Sequence, residues 1–112
     1  MRLLWNLEAI REINVSTTFD DEALRAAQEV ASLVVSKQRD YGKGNVLNCP
    51  VGAELGIAVR LYDKVARLSN LVQSGAEPSN ESLKDTADDI IGYGIVLKMV
   101  LDGTFNLPLK DK

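Results

Sequence analysis

Apolar residues recur every three or four positions along three long stretches of this chain, and no other feature constrains the fold as much. The period matches the turn of an α-helix, so each stretch predicts a helix with one apolar stripe. The predicted helices cover about residues 19–40, 50–73 and 80–102. The stripes are Leu24, Ala27, Ala31 and Val34; then Val51, Leu55, Ala58, Tyr62, Val65, Ser69 and Val72; then Leu83, Ala87, Ile90, Gly94, Leu97 and Leu101.

Residues typical of helix ends stand at the boundaries of these stretches. Hydroxyl side chains at positions 16–18 precede the first helix, and Pro50 suits the first position of the second. Ser79 or Asn80 is expected to cap the third helix, while Gly42 and Gly103 suit helix C-termini. Residues 42–49 then form a loop. Three long helices joined by short connections predict an all-α antiparallel bundle.

Two terminal segments complete the single domain that we expect over residues 1–112. Leu3, Leu7 and Ile10 recur at helical spacing, which predicts a short helix over residues 2–13 within the N-terminal segment 1–16. The tail over residues 104–112 is too short and too polar to be an independent unit. The helices are apolar on more than one side near their ends, so we expect a homodimer or higher oligomer.

The composition removes several classes of chemistry. The chain has no histidine and a single cysteine, Cys49, which excludes Cys/His zinc sites and Cys–His or Ser–His pairs. Carboxylates, Lys, Arg, Tyr, Ser and oxygen-held metal ions remain. The net charge of −3 argues against general nucleic-acid binding, although a phosphate site needs only a few local cations. No apolar run approaches the roughly 18 residues of a membrane span, so we expect a cytoplasmic protein with no membrane partner.

Charged side chains on the last two helices are the candidate binding residues. They are Arg60, Asp63, Lys64, Arg67 and Asn70 on one helix and Glu81, Asp85, Asp88 and Asp89 on the next. An antiparallel hairpin turning near residue 76 is expected to place Asp63 level with Asp89, and Arg67 level with Asp85. One groove then holds cations for a phosphate, together with carboxylates for Mg²⁺. The expected metal ligands are Asp85, Asp88 and Asp89.

The same charges also have a purely structural interpretation. Acidic residues early in a helix are favoured by its dipole, by about 0.3–1 kcal/mol each. Arg67–Asp85 and Lys64–Asp88 are then interhelical salt bridges, worth about 0.2–1 kcal/mol if exposed. The segment 37–44 has two glycines flanked by cations and suits either an anion site or a helix C-terminus.

The sequence also suggests where two tyrosines and the cysteine lie in the fold. We expect Tyr93, at the edge of its stripe, to stack on a base, and Tyr62, within its stripe, to lie in the core. Cys49 is expected to be a buried small side chain, because no base that would activate it is visible.

Three segments together resemble the family called nucleotide modification associated domain 1, found mostly in bacteriophages and their hosts. They are Asp40-Tyr41-Gly42, then Gly56 through Arg60-Leu61-Tyr62-Asp63-Lys64 and Arg67-Leu68-Ser69-Asn70-Leu71, then Asp85-Thr86-Ala87-Asp88-Asp89-Ile90-Ile91-Gly92-Tyr93-Gly94. The resemblance covers about residues 30–101 and implies a helical scaffold with a nucleotide ligand.

The arrangement is also similar, more distantly, to the all-α nucleoside triphosphate pyrophosphatases of the MazG type. Those enzymes bind Mg²⁺ with a Glu-Glu-x-x-Glu motif on one helix and Glu-x-x-Asp on the next. Asp85-Thr86-Ala87-Asp88 stands in for the second motif, whereas Asp63, Lys64 and Arg67 stand where the paired glutamates of the first are expected.

Three functions follow as hypotheses. The leading one is a nucleotide-binding protein of phage-type nucleotide metabolism, which as an enzyme would be a Mg²⁺-dependent (deoxy)nucleoside triphosphate pyrophosphohydrolase. In that enzyme Arg60, Lys64 and Arg67 would neutralise phosphate charge. The second is a non-catalytic module that sequesters a nucleotide or a nucleotide-derived signal. The third is an interaction or regulatory domain whose charged face docks a protein partner.

Overall fold

The computed structural model describes residues 17–111, in which there are four helices and no strand. These are α1 (Phe19–Tyr41), α2 (Gly44–Leu47), α3 (Ala53–Gln73) and α4 (Glu81–Asp102). The all-α prediction is confirmed, and α1, α3 and α4 are the three predicted long helices. The short helix predicted over residues 2–13 lies outside the described residues. Among the helices that are described, none is both long and apolar enough to cross a membrane.

The loop predicted over residues 42–49 contains the one-turn helix α2. The carbonyl of Lys43 accepts hydrogen bonds from the backbone N–H groups of Val46 at 3.2 Å and Leu47 at 3.0 Å. The side chain of Val46 is buried and anchors this turn against α3. The prediction of a plain loop was therefore wrong, because a long-range apolar contact stabilises a turn that is too short to show a period.

Local capping explains where α1 begins and ends. The Thr18 hydroxyl accepts the N–H of Asp21 at 3.1 Å, and the Asp21 carboxylate accepts the N–H of Thr18 at 3.3 Å. These two bonds form a capping box. At the other end Gly42 has a φ of 71°, and its N–H donates to the carbonyl of Gln38 at 2.9 Å. Both predicted boundaries hold to within a residue.

The start of α3 differs from the prediction. Pro50 lies in a turn, and the helix begins three residues later, at Ala53, after the N-cap Gly52. Gly52 has a φ of 95°, a conformation that glycine adopts without a Cβ clash. Its N–H donates to the Cys49 carbonyl at 2.9 Å, which closes the turn before the helix. At the next junction Asn80 caps α4 as predicted, by accepting the N–H of Leu83 at 2.9 Å.

Helix α4 lies at the centre of the fold, since it packs against both α3 and α1. The main core cluster joins Val46 of α2, Ile57 of α3 and Phe105 of the tail. Half-buried side chains of α4 pack onto this cluster, namely Tyr93, Val96, Leu97, Met99 and Val100. Val30 is the buried residue of α1. The core is therefore small, and α2 and the tail both contribute to it.

The apolar stripe predicted for α3 exists but faces solvent. Tyr62 is 77% exposed, and Leu55, Val65 and Val72 are each more than half exposed. The side that packs inward is instead centred on Ile57, which is 2% exposed. The placement of Tyr62 in the core was wrong, because α3 is apolar on two sides and α4 covers the other one.

The stripes of α1 and α4 are also shifted relative to the prediction. On α1, Leu24, Ala27 and Ala31 are exposed, whereas Val30 is buried. On α4, Leu101 is exposed and the most buried residue is Thr86. The Thr86 hydroxyl donates to the Ser82 carbonyl at 2.6 Å, which satisfies this buried polar group within its own helix.

The C-terminal tail folds back onto the helices. Phe105 is only 6% exposed, and its N–H donates to the Met99 carbonyl at 3.2 Å. Side chains near the end of α1 hold the tail further along: Arg39 donates to the Lys110 carbonyl at 3.1 Å and Lys43 to the Asn106 carbonyl at 3.3 Å. The tail therefore contributes a buried side chain to the core.

Candidate functional site

A cavity of about 400 Å³ opens between all four helices and the tail. This volume lies within the range of small-molecule sites, roughly 300–1,000 Å³. Its apolar wall consists of Val30, Leu33, Val34, Val46, Ile57, Val96 and Phe105. Its polar groups are Lys37, Gln38, Tyr41, Asn45, Arg60, Asp88, Asp89 and Tyr93. An apolar pocket with a few convergent polar groups is the usual form of a ligand site.

Helix α4 supplies one wall through residues at helical spacing. Asp89 and Tyr93 are four positions apart and therefore lie on the same side of the helix. Gly92 lies between them, where α1 passes closely: a Cβ on Gly92 would meet the side chain of Val34 at 3.5 Å. The two helices thus approach closely beside the polar groups, and α1 can bring Lys37 to Asp89.

Asp89 forms ion pairs with two other helices. One carboxylate oxygen, Oδ1, lies 3.1 Å from Nζ of Lys37 on α1, and the other, Oδ2, lies 2.9 Å from Nζ of Lys64 on α3. Partial burial acts to raise the pKa of Asp89, but the hydrogen bonds from Lys64 and Lys37 outweigh it and hold the pKa below the ordinary value. The hydrogen bond to Asp89 raises the pKa of Lys37. Asp89 and Lys37 are therefore both charged at neutral pH.

Arg60 of α3 adds another cation to the cavity lining. Its Nη2 donates to the Asn45 carbonyl at 3.3 Å, which ties the half-buried guanidinium of α3 to α2. Among the cavity-lining residues and their ion-pair partners, the three cations Lys37, Lys64 and Arg60 face two carboxylates. The site therefore carries one surplus positive charge, although the whole chain is negative.

Aromatic side chains stand on two sides of the cavity. Tyr41, at the C-terminal end of α1, is exposed, and Tyr93 of α4 is half-buried. Phe105 from the tail is buried and closes the apolar wall. Such rings offer flat apolar faces on which a planar group can stack.

The structure brings together five of the ten candidate residues that the sequence predicted. Four of them line the cavity, namely Arg60, Asp88, Asp89 and Tyr93. Lys64 does not line the cavity but forms an ion pair with Asp89, which does. The other five are exposed side chains that do not line it, namely Asp63, Arg67, Asn70, Glu81 and Asp85. On α3 each residue is turned about 100° from the next, so the cavity faces the side of Arg60 and Lys64 and not that of Asp63.

The ion pairs between α3 and α4 differ from the two salt bridges that the sequence suggested, Lys64–Asp88 and Arg67–Asp85. Lys64 pairs with Asp89, not with Asp88, so the expected register holds to within one residue. In residues 17–111 no ion pair joins Arg67 to Asp85.

Several lining residues were not among the predicted site. Lys37, Gln38 and Tyr41 belong to the segment 37–44, for which both an anion site and a helix end were considered. Lys37 and Tyr41 are four positions apart, a spacing that places both on one side of α1. No sequence spacing indicates that Asn45 and Phe105 line the cavity, because only the folding of α2 and the tail brings them there.

The predicted magnesium ion has a weak ligand set in this site. Within the described part of the chain, no three or more Asp, Glu or Cys side chains lie close enough together to hold a metal ion. Asp89 uses both of its oxygens for ammonium groups, and Asp85 lies outside the cavity lining. These residues therefore leave few free carboxylate oxygens for Mg²⁺, which is usually bound by one or two carboxylates together with waters and substrate phosphates.

Comparisons of this chain with protein-family models, with curated proteins and with solved structures found no match. The likeness to nucleotide modification associated domain 1 and to MazG-type enzymes therefore stays a prediction from the sequence segments that carry it.

Proposed function

We propose that this protein binds a nucleotide in the cavity between its helices. The observation that carries the proposal is the combination of groups in that one cavity: two tyrosines, an apolar wall, and the cationic side chains of Lys37 and Arg60. A nucleotide needs a flat apolar surface for its base and cations for its phosphate. The resemblance to nucleotide-associated families, stated from the sequence alone, supports the same ligand class.

The cations retain hydrogen-bond donors for a phosphate. An ammonium group has three N–H donors, and one of those of Lys37 goes to Asp89. A guanidinium group has five, and one of those of Arg60 goes to Asn45. Both side chains are thus positioned by protein contacts while other donors stay available. Positioning before binding lowers the entropy that a ligand contact costs.

The charge balance favours ligands with few charges. With one surplus positive charge, the site suits a nucleoside monophosphate better than a triphosphate, whose additional charge would face Asp88 and Asp89. We propose that binding occurs without a metal ion, because the cations already occupy the positions near Asp89 that Mg²⁺ would need. The protein would then act as a carrier or sensor of a nucleotide.

Calorimetry with a panel of nucleoside monophosphates and triphosphates, each with EDTA and with Mg²⁺, tests the proposal. We expect a monophosphate to bind in EDTA, with little change when Mg²⁺ is added. The same ligand should raise the melting temperature, since a ligand specific for the native state stabilises it. Failure of every nucleotide to bind or to raise the melting temperature would refute the proposal.

An assay for pyrophosphate release distinguishes the enzymatic alternative. If the protein is a Mg²⁺-dependent pyrophosphohydrolase, deoxynucleoside triphosphates will yield monophosphate and pyrophosphate only with Mg²⁺, and Asp88→Ala will abolish turnover. Binding without turnover, unchanged by Mg²⁺, is the result that our proposal predicts.

A further inference from the structure

One side of α3 is apolar, exposed and turned away from the cavity. We define the outer face of α3 as Leu55, Val59, Tyr62, Val65 and Val72, each of which is more than half exposed. Together these side chains expose on the order of 500 Å² of largely apolar surface, comparable to the largest patch of a typical monomer, roughly 300–600 Å². The opposite side of the same helix carries Ile57 and Arg60 into the cavity. The outer face therefore plays no part in the proposed nucleotide site.

The sequence of this face has the period of a coiled coil. The positions 55, 58, 62, 65, 69 and 72 are separated by steps of three and four, which places them alternately at a and d of a heptad over nearly the whole helix. A strict repeat of 3.5 residues is the pattern of a helix that packs against another long helix, not of one that merely covers a core. None of the six residues is charged.

We infer that α3 pairs with α3 of a second copy of this chain in an antiparallel coiled coil. In such a pair each a residue packs against a d residue of the other helix. One register satisfies all of these layers at once: Leu55 faces Val72 of the second copy, Ala58 faces Ser69, and Tyr62 faces Val65. In every pair the two residue numbers add to 127, so the contact is self-complementary about a two-fold axis, as a homodimer requires.

Side-chain packing and buried surface area both favour a second copy of the chain as the partner of the outer face of α3. The antiparallel register places the large Tyr62 against the smaller Val65, whereas a parallel pair would stack Tyr62 on Tyr62 and leave layers of alanine and serine with little to bury. The outer faces of two copies bury on the order of 1,000 Å², and the adjacent Ala58, Ala66 and Ser69 bring the interface towards the 1,200–2,000 Å² or so of stable complexes. Opposed helix dipoles also favour the antiparallel direction.

Sedimentation equilibrium of the full chain tests the pairing. We expect a dimer of twice 12.2 kDa at micromolar concentration. Tyr62→Glu should weaken it at least about tenfold, because a carboxylate would be buried without a partner. Lys84→Gln, at an exposed position on α4, lowers the net charge by the same amount as Tyr62→Glu and should leave the dimer intact. Circular dichroism verifies that both variants keep their helices.

Cysteine crosslinking tests the direction and register. In a Cys49→Ser background, Leu55→Cys combined with Val72→Cys should form a disulfide-linked dimer. These positions lie 17 residues apart, about 25 Å along one helix, so they cannot bridge within one chain. Leu55→Cys alone should not crosslink. A wild-type monomer at about 1 mM, a dimer unaffected by Tyr62→Glu, or efficient crosslinking through Leu55→Cys alone would each overturn the inference.

Discussion

Asp89 of α4 and Lys64 of α3 form an ion pair of 2.9 Å in which both side chains are less than a third exposed. The second oxygen of Asp89 pairs with Lys37 of α1. One carboxylate thereby links the three long helices at the mouth of the cavity. Because α1 and α3 pack on different sides of α4 and have few direct contacts with each other, the Asp89 carboxylate links two helices that are otherwise joined mainly through α4.

Asp89→Asn should destabilise the fold by about 1–2 kcal/mol, since it leaves two neighbouring ammonium groups without their common carboxylate. Urea unfolding followed by circular dichroism measures the free energy of unfolding. Asp85→Asn, an exposed aspartate one turn earlier on the same helix, is the control and should change it by less than about 0.5 kcal/mol. Equal effects of the two substitutions would show that the ion pairs add nothing to stability.

The stability difference between wild type and Asp89→Asn should depend on pH at both extremes. The pKa of Asp89 is lowered from 3.8, so its contribution is present above that value and is lost as the pH falls through the lower folded-state pKa. The pKa of Lys37 is raised from 10.5, so its contribution is complete below that value and is lost as the pH rises through the higher folded-state pKa. Melting temperatures of both proteins should therefore differ by a constant amount at intermediate pH. A difference that grew on acidification would contradict these assignments.

Arg60→Gln should weaken nucleotide binding at least about tenfold, because the cavity would lose one of its two charged hydrogen-bond donors to the phosphate. Arg67→Gln removes the same charge from the same helix at an exposed position outside the cavity lining, and should change the affinity by less than about twofold. Calorimetry with the best monophosphate of the panel gives both values. Similar losses in the two variants would mean that only long-range charge matters, and not the cavity.

Gly56→Ala should lower the free energy of unfolding by about 1–2 kcal/mol, since the new Cβ would lie 2.7 Å from Sγ of Cys49. Cys49→Ala removes that sulfur and should recover much of the loss in the double variant. Gly94→Ala on α4 meets no atom within 4 Å and should instead stabilise the helix by about 0.5–1 kcal/mol. Chemical denaturation of the wild type and of each variant measures these free energies of unfolding. A neutral Gly56→Ala would show that the turn before α3 adjusts freely.

Phe105→Ala should cost about 3 kcal/mol or more, because it empties a buried position where the tail meets α2, α3 and α4. Leu107→Ala, two residues further along at a position 64% exposed, should cost less than about 1 kcal/mol. If Phe105→Ala does not fold, Phe105→Leu provides a milder change at the same site. Comparable small effects at both positions would mean that the tail is not part of the core.

The sequence by itself determined the local structure of this protein. Helix type, helix number among the long elements and most helix ends follow from hydrogen bonds and capping within a few residues, as at Thr18, Asn80 and Gly103. The sequence also predicted the apolar repeat on α3 and grouped Arg60, Asp88, Asp89 and Tyr93, which line one cavity in the structure.

Only the tertiary structure decided which face of each helix is covered. Tyr62 and Ile57 lie on opposite apolar sides of α3. The hydrophobic period alone cannot predict which of the two sides is buried, because burial depends on which distant segment of the chain packs against the helix. The same holds for Lys37 and Phe105, which reach the cavity through contacts with residues more than 40 positions away or through the folding back of the tail. Hydrogen bonds between near neighbours shape the helices, whereas long-range packing selects the residues that share the cavity.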